Sequence, residues 1–358
     1  MENPFKFGSI VSGDYFTNRQ VEYERISQIV SSSNHIIMIA PRRFGKTSLV
    51  NKVVTETKRP FLWVDLQLLT NTNDFATQLL KQLFKIYPFE KLKLMLTHFR
   101  VVPTLSIDPA TNSVEVGFQP RVDSFVHLEE VLNLVEKLGE EKRRPIVVFD
   151  EFQELLALDK SLDKRLRSVI QFHKNINYLF LGSVESMMKQ IFENKKSAFY
   201  HFGQLFTLSK IPYPDLFTFL QTRFAKITDK AAQIANEIIT FTTCHPYYTQ
   251  QLAFHVWMFL EREGYLEEVV SKTIEEILLL HDNDFERLWN TFNHTDKRVL
   301  IDLAIEPPST PVIYKNTIPP STIFSALKRL TIKGIVIKEK RHEIDDPFFR
   351  NWIVRRRT

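Results

Sequence analysis

The segment APRRFGKTSLV, residues Ala40 to Val50, restricts what this chain can fold into more than any other. It follows an apolar run, HIIMIA, and precedes a helix-forming stretch, so a strand, a loop and a helix are expected in that order. This is the order of a phosphate-binding loop of the pattern G-x-x-x-x-G-K-[ST]. In such a loop, backbone N–H groups encircle phosphate oxygens, and the dipole of the following helix favours the negative charge. The candidate loop residues are Ala40, Pro41, Arg42, Arg43, Phe44, Gly45, Lys46, Thr47 and Ser48. Gly45 lets the backbone approach a phosphate, Lys46 can neutralise the β- and γ-phosphates of ATP, and the Thr47 hydroxyl can ligate Mg2+. Ala40 stands where the pattern has its first glycine, a change of little consequence if its backbone conformation is an ordinary one.

A second motif supports the first. PIVVFDEF, Pro145 to Phe152, reads as a buried strand ending in two carboxylates, and ligands of parallel sheets collect at the carboxyl ends of strands. The acids are expected on a strand next to the one that feeds the loop. Asp150 is placed to hold the magnesium ion through water, and Glu151 to deprotonate an attacking water. A third run, NYLFLGSVESMM, ends in Gly182 and Ser183. Ser183 either senses the last phosphate or caps the following helix. Lys46, Asp150, Glu151 and Ser183 are thus the candidate catalytic residues, with Thr47 and Asp150 as metal ligands.

Short runs of branched apolar residues alternate with helical patterns, as in a parallel sheet covered by helices. Strands are expected at Ile36–Ala40, Phe61–Leu66, Ile146–Asp150, Tyr178–Gly182 and Leu205–Leu208. Helices are expected at Thr47–Glu56, Asp74–Ile86, His127–Leu138 and Leu162–Lys174. Val101 to Pro120 breaks the rhythm and reads as a β-hairpin turning at Pro-Ala-Thr-Asn. From Pro212 to about Asp282 the pattern becomes helical. Beyond it, HTDKRVLIDLAI begins another helix, and PPSTIFSALKRLTIKG gives a further one. In the latter Ser321 is expected as cap, Ile323, Phe324, Leu327 and Leu330 as the apolar face, and Gly334 as stop. IVIKEKRHEI then reads as a two-stranded wing, which makes a winged helix-turn-helix domain. The expected fold is α/β: a P-loop NTPase three-layer parallel sheet core (1–211), an all-helical lid (212–282) and a C-terminal winged helix-turn-helix domain (283–358).

Composition sets outer limits. Of 358 residues, 44% are hydrophobic and 25% charged, the balance of a soluble globular chain, and no segment approaches the roughly 20 apolar residues of a membrane span. A cytoplasmic location and no membrane partner are the expectations. The lone Cys244 excludes an intrachain disulfide framework and multi-cysteine zinc sites. A net charge of +5 permits contact with nucleic acid without demanding it. Lys328, Arg329, Lys338 and Lys340 are the candidate DNA contacts, near Lys333 and Arg341.

Taken together, FxNRxxExxxI (Phe16 to Ile26), PRRFGKTSL, VVFDEFQEL, FLGSVESMM and CHPYYTQQL (Cys244 to Leu252) resemble the archaeal-type ATPases of the AAA+ superfamily, near the signal-transduction ATPases with numerous domains. The resemblance runs from about Val11 to Trp352. It implies that Phe16, Asn18 and Arg19 approach the adenine, and that His245 and Pro246 pack against the base from the lid. Without it, Pro246 reads simply as a helix start. The resemblance implies a glycine-arginine pair acting on the γ-phosphate in many relatives, where this chain has Gly203 and Gln204. Arg42, Arg43, Arg165 and Arg167 are the substitutes to consider. The DPxFxxW element at the end is expected to pack Phe348, Phe349 and Trp352 between wing and lid.

Two functions follow as expectations. One is an ATPase acting as a nucleotide-controlled switch, with ATP and Mg2+ as cofactors and a protein partner or self-association as its output. The other is a non-hydrolysing, nucleotide-bound scaffold or DNA- or protein-binding regulator. A small-molecule kinase is the weakest reading, because no second substrate pocket is evident.

Overall fold

The computed structural model of the chain describes residues 2–100, 102–107, 114–118, 123–264, 267–305, 319–339 and 341–358. It divides into two compact units. One comprises Gln20–Ala40 and Leu49–Leu208, the other Met1–Arg19, Pro41–Ser48 and Ser209–Thr358.

In the first unit, α1 (Gln20–Ser31) leads into β1 (Ile36–Ile39), and the chain later re-enters along α2 (Lys46–Glu56). There follow β2 (Phe61–Asp65), α3 (Thr72–Ile86), α4 (Phe89–Leu96), β3 (Thr104–Ile107), β4 (Val114–Gly117) and α5 (Ser124–Leu138). Then come β5 (Ile146–Asp150), the short α6 (Leu155–Leu158), α7 (Leu162–Ile170), β6 (Asn177–Gly182), α8 (Glu185–Phe192) and β7 (Gln204–Thr207). Five of these strands form one parallel sheet in the order β2-β5-β6-β1-β7. Burial follows that order. Every residue of the inner strands β1, β5 and β6 is buried, whereas edge strand β2 alternates and edge strand β7 buries only Phe206. Continuous apolar runs suit strands covered on both faces, and alternation suits an edge.

The five expected strands are present with ends shifted by one residue at most. Their order corrects one expectation: β6, not β5, pairs with β1, so the strand bearing the acids lies one place further out. After β5 the chain returns through α7 and fills the gap beside β1. The helix expected to reach Lys174 ends at Ile170. His173 is drawn inward instead, bonding the Tyr178 hydroxyl at 2.7 Å and Asn133 Oδ1 at 3.1 Å. Strands β3 and β4 pair antiparallel, as expected of the hairpin, while its Pro-Ala-Thr-Asn turn lies outside the described residues.

The second unit is helical: α9 (Tyr213–Phe224), α10 (Ala231–Thr242), α11 (Pro246–Glu263), α12 (Val269–Asn290), α13 (His294–Ile305), α14 (Pro320–Ile332), the antiparallel pair β8 (Val336–Lys338) and β9 (His342–Ile344), and α15 (Pro347–Arg357). One apolar core joins them. Phe348 sits against Tyr248 and Phe241, while Phe349 and Trp352 stack beside Phe285, and Trp352 Nε1 donates to Asp282 at 2.7 Å. The basic end of the chain is not a free tail. Arg355, Arg356 and Arg357 pair along α12 with Glu275, Asp282 and Glu286.

Two details of α14 differ from the reading above. Pro320 occupies its first turn and Pro319 precedes it, so Ser321 lies inside the helix and caps nothing. Proline at that position needs no N–H partner and has the helical φ already set. Ile323, Leu327 and Leu330 are buried, but Phe324 is 69% exposed because the buried face turns away from it. Gly334 ends the helix at φ +70°. Among the described residues no helix is long and apolar enough to cross a membrane.

Candidate nucleotide site

The loop leaves the sheet at Ala40, which is fully buried and donates its N–H to the Gly182 carbonyl at 3.1 Å. Ala40 is not among the residues at positive φ, so the methyl group that replaces the pattern's first glycine carries no conformational penalty. Gly45 is different. Its φ is +84°, with open space where a Cβ would stand, so glycine is required there by conformation rather than by room. Lys46 opens α2 and is 6% exposed, with Thr47 beside it half-buried. Ser48 is buried, and its Oγ accepts from Val11 N at 3.1 Å, tying the N-terminal segment to the helix.

Within the same unit the loop is gripped by the residues that the resemblance assigned to the base. Arg19 is 5% exposed and donates to the carbonyls of Ser209 (2.6 Å) and Phe44 (3.3 Å). Asn18 is exposed and Phe16 half-buried. His245 is 1% exposed and caps α11: its Nδ1 accepts from the N–H groups of Tyr247 and Tyr248, and its Nε2 meets Asp345 at 3.2 Å. Pro246 takes the first helical turn. The Phe44 ring stands edge-on to His245 at 4.8 Å.

Arg43, at φ +66°, is exposed, and its guanidinium lies 4.7 Å from the Tyr247 ring centre and donates to Tyr248 Oη at 2.8 Å. Burial works against its charge, yet Tyr248, Tyr247 and Asp346 outweigh that and hold its pKa up. Tyr248 is itself pushed up, first by burial and then by Asp346 and Asp345. Asp346, which caps α15 by accepting from Phe348 N and Phe349 N, is raised by burial. Within CHPYYTQQL, the signal of the tyrosine pair is two adjacent aromatics in the first turn of a helix.

In the sheet unit, the carboxyl edge carries the acids. Asp150 is 7% exposed and ends β5, while Gly182 ends β6 next to Ala40. Glu151 leaves the strand in a left-handed conformation, φ +50° and ψ +46°. Ser183 Oγ donates to Glu151 Oε2 at 2.5 Å, and helix α8 is capped by Val184 without a side-chain bond, so of the two expected roles for Ser183 the capping one is not used. Gln153, 1% exposed, also donates to Glu151 Oε2. Gln153 has no sequence signal beyond its place in VVFDEFQEL.

Strain gathers at these motifs. Of the eight non-glycine residues at positive φ among those described, Asn18, Arg19, Arg43, Glu151 and Cys244 fall in the quoted motifs. Such conformations cost of order 1–3 kcal/mol each and persist where the surrounding structure holds them. Two buried polar atoms there also make no hydrogen bond: Thr17 Oγ1, next to Phe16, and Gln153 Oε1. Among the described residues no group of three or more His, Cys, Asp or Glu is arranged to hold a metal. The hydroxyl of Thr47 and the carboxylate of Asp150 are hard oxygen donors of the kind Mg2+ takes alongside phosphate and water.

The remaining candidates lie elsewhere. Arg165 pairs with Asp123 over the Phe125 ring, and Arg167 donates to the Ala198 carbonyl over Phe202. Gln204 is in register with Ile36, at the amino edge of the sheet, whereas Ile39 pairs with Thr207. Three residues separate the two levels, so Gln204 stands about 10 Å back along the strand from the carboxyl edge. Lys328 is exposed on α14 and Lys338 on β8, Arg329 is bound to Asp296 at 2.6 Å, and Lys340 lies outside the described residues.

Comparison with known proteins adds the ancestry. A family model described as an ATPase domain predominantly from Archaea matches residues 16–252. Among solved structures, the Walker-type ATPase PABY2304 of Pyrococcus abyssi is similar over 95% of this chain and 97% of that one, at 18% identity and a TM-score of 0.66. The ORC2 protein of Aeropyrum pernix, in ADPNP–ADP complexes, is similar over 98% of each chain, at 15% identity and a TM-score of 0.56. The likeness is one of fold: a P-loop type α/β sheet with a helical C-terminal region and a small C-terminal hairpin. The comparison with curated proteins returns no match.

Proposed function

The chain belongs to the family of ATPase domains found predominantly in Archaea, and on that premise we propose that it is a magnesium-dependent ATPase working as a nucleotide-controlled molecular switch. Nucleotide binding comes with the family; hydrolysis and switching are our reading of the residues. The loop N–H groups and Lys46 take the phosphates of ATP, and Phe16, Asn18, Arg19, His245 and Pro246 border the base. Thr47 and Asp150 would hold Mg2+, whose charge offsets that of the β- and γ-phosphates. Glu151 takes the proton of the attacking water, and Ser183, bonded to that carboxylate, registers whether the last phosphate is present.

The observation that carries the switch reading is the Arg43–Tyr248 bond. It joins the phosphate loop to the first turn of α11, and Tyr248 in turn packs on Phe348 of α15. A loop that tightens on a triphosphate and relaxes on a diphosphate therefore pulls on the C-terminal helices directly. Hydrogen exchange with ATP analogue, with ADP and without nucleotide tests this. The proposal requires α11 and α15 to differ between the first two states, and identical exchange in all three would refute it.

A second reading, a nucleotide-bound scaffold that contacts DNA or a protein partner through α14 and the β8–β9 hairpin as a winged helix, is favoured by the exposed Lys328 and Lys338. It predicts no phosphate release by the wild-type protein, and a salt-dependent affinity for duplex DNA that falls on Lys328→Glu.

A further inference from the structure

The Glu151 carboxylate is held from two sides, and the side given by Gln153 is the unexpected one. Ser183 Oγ and Gln153 Nε2 both donate to Glu151 Oε2, and Gln153 Nε2 also lies 3.4 Å from Ser183 Oγ. The three side chains form a closed triangle at the carboxyl ends of β5 and β6. Gln153 reaches it from inside the core, in the 3-10 turn Phe152–Glu154 after the left-handed Glu151. Room for its amide exists because Gly182 has no side chain. A Cβ there would stand 2.7 Å from Gln153 Oε1 and 2.3 Å from Met188 Sδ.

The orientation of that amide is informative. Reversed, it would press a carbonyl oxygen against an ionised carboxylate, so the donor must face Glu151. The carbonyl is then left buried without a partner. A glutamine kept for packing alone satisfies both ends of its amide. This one leaves an acceptor unsatisfied and spends its donor on Glu151.

We propose that Gln153 is a positioning residue for ATP hydrolysis, fixing the Glu151 carboxylate jointly with Ser183 so that it meets the attacking water in a single orientation; this rests on the ATPase reading above. In that step the water gives a proton to Glu151 as its oxygen bonds to the γ-phosphorus. The bond from that phosphorus to the bridging oxygen breaks, and its electron pair leaves with ADP. Gln153 touches neither water nor phosphate. It acts through Glu151 by removing the rotamers in which the carboxylate faces elsewhere.

The test is steady-state phosphate release with magnesium and ATP, alongside titration with a fluorescent ATP analogue, for wild type, Gln153→Met, Gln153→Asn, Glu151→Gln and the Gln153→Met/Glu151→Gln pair. Methionine matches glutamine in length and lacks the donor. Gln153→Met should lower kcat about 10- to 100-fold with KM and analogue affinity within about twofold, the loss expected when a charged group loses a hydrogen bond. Gln153→Asn, milder in the core, should lie between it and wild type. In the Glu151→Gln background, Gln153→Met should change nothing more. An unchanged kcat for Gln153→Met and Gln153→Asn, parallel changes in kcat and affinity, or an independent loss in the double variant overturns the proposal. If Glu151→Gln stops turnover while both Gln153 variants keep it, this inference alone fails. If the wild type releases no phosphate, the ATPase reading fails with it.

Discussion

Arg43 of the phosphate loop donates to the Tyr248 hydroxyl at 2.8 Å. A charged donor on a buried phenol is among the stronger neutral-partner bonds, and the facing Tyr247 ring adds a cation–π contact. Arg43→Ala and Tyr248→Phe should therefore lower ATP affinity by no more than about fivefold while removing most of the ATP-dependent protection of α15 in hydrogen exchange. Protection that persists in both variants would show that coupling runs elsewhere.

Glu151→Gln keeps the shape of the side chain and removes its basicity. Phosphate release should fall by at least about 100-fold, and the variant should retain bound ATP through gel filtration where wild type yields ADP. Release at the wild-type rate would remove Glu151 from the mechanism.

The His35 ring predicts a pH dependence. Burial, with the nearby Arg167 and His173 charges, lowers its pKa to about 4, and its Nδ1 accepts from Tyr178 N. The unfolded chain takes up the proton near pH 6.5 and the folded one only near pH 4. The contribution of His35 to stability is thus fully present above about pH 6.5 and is lost progressively as pH falls towards 4, by about 3 kcal/mol over the whole span. Urea unfolding of wild type and His35→Gln at pH 7.5 and pH 5 checks this, because the glutamine variant should lose less on acidification.

Asp296 is 1% exposed and bonded to the half-exposed Arg329. Arg329→Met leaves a buried carboxylate without its cation and should destabilise the fold by about 3 kcal/mol. Lys328→Glu, on the exposed face, should stay within about 0.5 kcal/mol. Equal effects in urea unfolding would mean that Arg329 belongs to the exposed basic surface as Lys328 does.

Much of the sheet was legible because inner strands such as Ile146–Asp150 are continuous apolar runs ending in chemistry-bearing residues, and the phosphate loop because its spacing is local. What escaped was nonlocal. The strand order that puts β6 beside β1 depends on which gap the chain fills, and no periodicity records that. Gln153 and Tyr248 carry no mark of their own in the sequence. Only the fold brings one to Ser183 and the other to Arg43. Phe324 failed for a local reason: it lies one residue from Ile323, just beyond the buried stripe.

The most direct measurement is equilibrium ATP binding, in magnesium, to wild type and Lys46→Ala. If the loop Ala40–Ser48 holds the triphosphate, wild type binds one ATP per chain and the variant loses about 100-fold or more in affinity with its fold intact by circular dichroism. Affinity within about threefold of wild type would contradict the account at its base.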